Sequence, residues 1–464
     1  MYMYIQPHPL RINHGDFFAS RALLTEGWRR QVRISVNQAG FIESIIPDSQ
    51  AQEAMPLHGD VIPAMANLHS HAFQRAMAGL AEVAGDPQDS FWTWRDLMYR
   101  MVQRLTPEQV GDIAALLYID MLKGGYSQVA EFHYLHHDPH GAPYPDDAML
   151  QQLIHAAETA GIGQTLLPVL YSYSGFGAQP PSDGQKRFIQ QTDRYLQQQA
   201  WLHSNLRNKP LHNQGLCFHS LRAVSEAQMR EVLATSDAAL PVHIHVSEQE
   251  KEVNDSLAWS SERPVAWLMN RFEIDARWCL IHATHLDEQE IRRLAASGAV
   301  AGLCPTTEAN LGDGIFPAVD YIAQGGRWGI GSDSHVSLSA QEELRWLEYG
   351  QRLRDRRRNR ITTPHQASVG DLLWQQAAQG GAQACGIRSG GLAVGQRADW
   401  LVLKDDAWFS HIDDRALLNR WLFAGQRDQI REVYVAGNAV IQDGHHAAEE
   451  ACTARFKQTM AALR

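Results

Sequence analysis

Six residues from distant parts of the chain could do chemistry together. His69 and His71 close an apolar run as NLHSH, His245 and Glu248 close LPVHIHVSE, His282 follows RWCLI, and Asp333 ends GRWGIGSD. Residues i and i+2 of a strand project to one side, so His69 and His71 can grip one metal ion together. His245 and Asp333 would supply ligands from elsewhere. Three imidazoles and a carboxylate suit Zn²⁺ and leave a position for water, and iron or manganese accept the same ligand types. Zinc lowers the pKa of a bound water to about 7. Glu248, three residues past a ligand, can reach that water without ligating the metal, take its proton and pass it to a leaving nitrogen. His282 could orient the water or stabilise the attacked centre. A lone histidine is usually a satisfied core or loop residue, and a lone glutamate a solvated helix start. What joins these six is that all fall where an apolar run ends. The stretch Tyr134–His140 (YLHHDPH) is also rich in ligands, but its spacing fits no strand, so His136, His137 and His140 read as loop residues.

Such residues can meet only if the elements carrying them share one end. Apolar, β-branched runs near 61–69, 126–134, 164–171, 215–222, 240–246, 277–283, 298–304 and 326–333 alternate with helical patterns. Thr106-Pro107-Glu108-Gln109 gives a cap, a first-turn proline and a Gln reaching back, and Val110, Ile113, Leu117 and Met121 follow at helical spacing until Gly124 and Gly125. Ser225 with Gln228 and Asp287 with Glu290 repeat the capping pattern. Eight capped βα units predict a (β/α)8 TIM-type barrel over 61–389, whose C-terminal strand ends form the active face. An open doubly wound sheet would want a Gly-rich phosphate loop, and none follows a strand. At the ends, Gln31–Val36 (QVRISV), 391–404 (GLAVGQRADWLVLK) and 430–443 (IREVYVAGNAVIQD) read as short strands. Neither end could bury a core alone, so 1–60 and 390–464 are expected to form one small β-rich domain.

The chain has 464 residues, 44% hydrophobic and 20% charged, with a formal net charge of −11. That suits a barrel plus a companion and argues against general binding to nucleic acid or anionic membranes. No apolar run reaches the roughly 18 residues of a membrane helix. The opening MYMYIQPHPLRINHGDFFAS has no basic segment before an apolar core, so no signal peptide is expected and the expected location is cytoplasmic. Five scattered cysteines without a CxxC pair read as buried reduced thiols. The basic run Arg352–Arg360 (RLRDRRRNR) reads as the solvated end of a helix near Glu342–Leu353, where arginines suit the dipole.

His69-x-His71, His245-x-x-Glu248, His282 and Asp333 resemble the deaminase branch of the amidohydrolase superfamily. Gly390-Gly391-Leu392, Arg397-Ala398-Asp399 and Val433–Val440 (VYVAGNAV) resemble the strands that finish that superfamily's small β domain. More narrowly, NLHSHAFQR (67–75), FWTWRDLM (91–98), AEFH (130–133), FHSLR (218–222), TEANLGDGIF (307–316) and GSDSHVSLS (331–339) look like the formimidoylglutamate deiminase family. The resemblance runs from about residue 20 to the end. It implies a barrel with a small β-sandwich domain built from both chain ends. It also implies one zinc ion per chain, since no lysine ends the run near 164–171 to bridge a second. Asp333 then counts both as a ligand and among the catalytic groups, with Glu248 and His282. The implied reaction is N-formimidoyl-L-glutamate plus water to N-formyl-L-glutamate and ammonia, in histidine degradation. A small dianionic substrate wants cations, and Arg95 and Arg222 suit bidentate carboxylate binding. Gln74, Tyr134 and His219 stand on matching motifs and could complete the grip. Two alternatives stay open: a nucleobase deaminase using the same zinc, Glu248 and His282, and a barrel that has lost catalysis and serves as a scaffold. Such barrels are commonly dimers, so a homodimer is compatible with the resemblance.

Overall fold

The computed structural model describes residues 15–83 and 90–463. The reading of the opening stretch falls mostly on residues 1–14, outside the described ones. Strands β1 (Gly15–Leu24), β2 (Gly27–Val36), β3 (Ile42–Ile46) and β4 (Met55–Pro63) come first. Nine parallel pieces follow: β5 (Met65–Ser70), β6 (Tyr126–His133), β7 (Gly163–Pro168), β8 (His212–Gln214), β9 (Leu216–Ser220), β10 (Val242–Val246), β11 (Trp278–His282), β12 (Val300–Leu303) and β13 (Arg327–Ile330). The chain ends with β14 (Trp400–Lys404), β15 (Ile430–Val435), β16 (Asn438–Ile441) and a helix over Glu449–Ala462.

β5 to β8 form one sheet and β9 to β13 another. Parallel bridges Leu170↔Phe218 and Ser70↔Asp333 join the two at both seams. The result is an eight-stranded barrel in which β8 and β9 are one strand interrupted at Gly215. The seam between β5 and β13 is functional. Asp333 N–H donates to the His69 carbonyl at 3.0 Å, and His71 N–H donates to the Asp333 carbonyl at 3.3 Å. Gly331 permits that approach, since a Cβ there would lie 2.7 Å from His69 Cβ. Helices pack outside, and the expected caps form: Thr106, Ser225 and Asp287 each accept from the backbone three residues on. The (β/α)8 expectation holds.

The other seven strands form one sheet in the order β16-β15-β14-β4-β1-β2-β3. It curls so that Phe17, Val32, Ile34, Leu57, Val61, Trp400 and Tyr434 share one apolar core. Its edge returns on itself through the Phe41↔Arg397 bridge. Asp399 ties the sheet to the barrel, accepting from Arg397, from Ala436 N–H at 2.9 Å and from Ser127 of β6 at 3.0 Å.

Two boundaries differ from those read in the sequence. The run 61–69 is not one strand: Val61–Pro63 end β4 and pair with β1 and β14, and the barrel begins at Met65. Both pieces are buried, so hydropathy carries no mark where the chain passes from one sheet to the other. The helix Glu449–Ala462 leaves the β-rich sheet for the barrel helix Pro107–Lys123, through Lys123–Glu449 at 2.6 Å and Thr459–Asp112 at 3.1 Å. The basic run ends the helix Ala340–Asp355 and folds back on it, Arg352 on Glu348 and Arg360 on Asp355, each at 2.7 Å. All five cysteines are free and buried. Among the described residues no helix is long and apolar enough to cross a membrane.

Candidate active site

His69, His71, His245 and Asp333 meet at the C-terminal mouth of the barrel. Their ring nitrogens face one another and the carboxylate: His245 Nε2 lies 3.0 Å from His69 Nε2, and Asp333 Oδ1 lies 3.5 Å from His69 Nε2 and 3.3 Å from His71 Nε2. Burial lowers His69 to about 3 and also lowers His71 and His245, so all three imidazoles are neutral near pH 7. Burial pushes the Asp333 carboxyl up, but the hydrogen bond to His69, and the charges that His69, His71 and His282 carry in the acid range, outweigh it and leave the pKa below 3.8.

The tautomer of His71 tests whether this set suits a cation. Its Nδ1 stands 2.7 Å from the carbonyl oxygen of Phe132, which can only accept, so Nδ1 carries the proton. Nε2 then turns a lone pair toward the carboxylate oxygen of Asp333 at 3.3 Å. Two lone pairs aimed at one point, in a buried place, are reconciled by a cation between them. His69, His71 and Asp333 are close enough to share one ion, and so are His69, His245 and His282. These groups offer three imidazole nitrogens and a carboxylate, a donor set that suits a divalent ion such as zinc.

Beside the cluster stand Glu248 and His282, with His282 Nε2 3.6 Å from Glu248 Oε1 and 3.7 Å from Asp333 Oδ2. Burial raises Glu248 to about 7, against a downward pull from His282. Burial alone would discharge His282, but Glu248, Glu308 and Asp333 outweigh it and hold the imidazole protonated, well above 6.5. Ser247, His282 and Asp333 take φ values of 52°, 68° and 46°, in the left-handed region. Such conformations cost non-glycine residues on the order of 1–3 kcal/mol each, and here they turn the chain sharply off three strands.

A narrow cleft opens above the cluster, lined by Gln74, Arg95, Tyr134, His219, Arg222, Glu248, His282 and Asp333 among others. Every expected substrate residue is there. Gln74 donates to the Tyr134 hydroxyl at 2.9 Å. Arg95 stacks over Trp92 at 4.6 Å, and Arg222 and Lys251 face the same ring at 5.9 and 5.4 Å. Arg95 Nε and Arg222 Nε are buried without a hydrogen-bond partner. The cleft thus carries carboxylates beside the histidine cluster and guanidiniums around Trp92.

Other histidines at strand ends do not join the cluster. His133 turns to the Leu135 carbonyl, His243 to that of Ala384 and His285 to that of Asp313. His136 and His137 bond the carbonyls of Val169 and Ile189, as loop residues should. Sequence reasoning gave no role to four carboxylates that hold the site. Glu131 accepts from Ser70 at 2.6 Å and from Ala72 N–H at 2.7 Å, gripping the turn between and after the two histidines. Glu308 lies 3.2 Å from His282 Nδ1, and Asp313 can share one point with Glu248 and His282. Glu252 accepts from the backbone at Ser247 and Glu248. Glu308 and Asp313 stand in the TEANLGDGIF stretch, which was read for likeness and not for chemistry.

A model of the amidohydrolase family matches residues 61–440. The chain belongs to the amidohydrolase family. A second model, the formimidoylglutamate deiminase HutF N-terminal domain, matches residues 17–59 of this amidohydrolase. A formimidoylglutamate deiminase of Pseudomonas aeruginosa is 59% identical over 448 residues, covering 96% of this chain and 99% of that one. These matches bear out the resemblance read from the sequence, and with it a hydrolase. Among solved structures, an amidohydrolase from Brucella melitensis superposes with a TM-score of 0.92 at 43% identity, covering 97% of this chain and 100% of that one. An adenosine deaminase from Xanthomonas campestris with bound zinc superposes at 0.78 with 22% identity, covering 97% and 98%, and shares the fold.

Proposed function

We propose that this amidohydrolase is a zinc enzyme that hydrolyses N-formimidoyl-L-glutamate to N-formyl-L-glutamate and ammonia. The observation that carries the reading is the cleft with both kinds of charge, in a chain 59% identical to a formimidoylglutamate deiminase. The substrate carries both kinds as well. Its formimidoyl end is a basic amidine, which suits the carboxylates beside the histidine cluster. Its other end has two carboxylates, which suit Arg95 and Arg222. Their buried Nε donors lack partners, and leaving a donor so is costly unless a ligand completes it. A neutral planar nucleobase offers no carboxylate to these two donors.

His69, His71, His245 and Asp333 would hold the zinc. When bound, the ion supplies Lewis-acid charge that makes water nucleophilic near neutral pH and polarises the amidine. Glu248 takes one proton from the attacking water and passes it to the terminal nitrogen, then carries the hydroxyl proton of the tetrahedral adduct to the same nitrogen as the carbonyl forms. The protonated His282 presents an N–H where negative charge develops as the carbon becomes tetrahedral. The new C–O bond forms, the C–N bond to the terminal nitrogen breaks, and ammonia departs. Glu308 keeps His282 oriented, and Gln74 with Tyr134 borders the path between the two ends. Nothing in this scheme needs a second metal.

The test is ammonia release from N-formimidoyl-L-glutamate by zinc-loaded enzyme, with guanine, cytosine and adenosine beside it. Release from the first compound alone is expected. Release only from a nucleobase or nucleoside would keep the hydrolytic chemistry and overturn the substrate. The ligand assignment has its own check. His69→Ala should lower bound zinc, measured by elemental analysis, several-fold below one ion per chain, because a donor of the N₃O set is lost. A metal-replete, active variant would refute it.

A further inference from the structure

Glu252 is buried in the first turn of the helix Glu250–Ser260, behind the wall of the cleft. Oε1 accepts from Ser247 N–H at 3.1 Å and Oε2 from Glu248 N–H at 3.3 Å. The same Oε2 lies 3.9 Å from Arg222 Nη2. These contacts join the two charged groups of the cleft. Ser247 sits at φ 52°, where the chain turns off β10. A strained turn stays put only if its surroundings hold it. Glu252 supplies that hold at the two peptide groups that flank Ser247, the second of which leads directly into Glu248. Toward Arg222 the contact is an ion pair too long for a hydrogen bond. It balances a buried positive charge yet leaves the guanidinium's donors for a ligand, and Arg222 Nε is indeed unpartnered. A tight bidentate bridge would have used those donors.

We propose that Glu252 is a positioning residue that couples the proton-carrying carboxylate to the substrate's carboxylate grip. One buried side chain fixes the backbone that aims Glu248 and balances the charge of Arg222. The proposal rests on the roles given above to Glu248 and Arg222.

Two variants separate the two duties. Glu252→Gln keeps an accepting oxygen for one of the two backbone N–H groups, which retains part of the hold on the turn, and removes the charge facing Arg222. It should raise KM for N-formimidoyl-L-glutamate about tenfold and leave kcat within about threefold. Glu252→Ala also frees the turn, and should lower kcat about 100-fold as Glu248 loses its aim. Zinc content should match wild type in both, and thermal melts establish that each is folded. Equal KM in Glu252→Gln, or wild-type kcat in a folded Glu252→Ala, would overturn the coupling. So would a change in melting temperature alone. If Glu252→Ala does not fold, Glu252→Gln still decides whether the charge serves binding. Failure of the substrate reading shows separately, as no ammonia from the wild type. In that case calorimetric binding of glutarate takes over. Affinity about tenfold weaker in Glu252→Gln is expected, and equal affinity overturns the proposal.

Discussion

Replacing Glu248 with glutamine should leave zinc bound and cut turnover by about 10⁴-fold, the upper range for removal of a positioned acid/base group. The side chain keeps its shape, so packing in the wall survives. It loses the ability to take a proton from water, and nothing beside it can substitute. His282 is already protonated, held so by Glu248, Glu308 and Asp333 against its burial. Asp333 lies against the ring nitrogens of His69 and His71 and has no free basicity near neutral pH. The pH profile gives the same role a second reading. Burial raises Glu248 to about 7, and only its ionised form can accept a proton. Activity is therefore present above that pKa and is lost as pH falls through it. A bound divalent cation adds positive charge nearby and directly favours the ionised carboxylate. The acid limb of kcat/KM should thus fall at or below about 7. A limb well above that value, or full activity in Glu248→Gln, would remove Glu248 from the proton path.

What could be read ahead of the structure follows from how locally each feature is encoded. Caps and periodicity are local, so the helix opened by Thr106 and Gln109 and the alternation of strands were visible. The six chemical residues were visible because each ends an apolar run, and a barrel brings such ends together. Passage from one buried sheet to another has no local signature, which is why β4 and β5 merged into one run around Ala64. The supporting carboxylates were hidden for a related reason. Glu252 and Glu308 stand in first turns of helices, where acidic residues usually face water and complement the dipole. Only the fold shows them buried, one behind Glu248 and the other against His282. Arg222 was legible as the end of the run 215–222, and Arg95 through likeness alone. Arg95 lies on a helix surface in the sequence pattern, and its place over the cleft depends on how Phe91–Val102 leans on the barrel.

Arg222→Met should lower kcat/KM for N-formimidoyl-L-glutamate about a thousandfold while the protein stays folded, the scale of losing one partner of a buried charge pair. Methionine keeps the apolar stem and removes the guanidinium. Arg222 faces Trp92 from one side and Glu252 from the other, and neither contact is a hydrogen bond that the fold depends on. Glu252 retains its two backbone donors after the change, so the loss in stability should be far smaller than the loss in catalysis. The effect should also be selective for charge. N-methylformamidine offers the same amidine carbon and no carboxylate. Its slow hydrolysis should barely change in Arg222→Met, because the reacting end keeps Glu248, His282 and the metal-suited cluster. The preference for the dianionic substrate, taken as the ratio of the two kcat/KM values, should then collapse by nearly the whole thousandfold. Equal losses on both compounds would mean that Arg222 supports the reacting end, through Glu252 and the Glu248 turn, and not the substrate's carboxylates. Unchanged kinetics on both would take Arg222 out of the site, and with it the charge argument for a dianionic substrate.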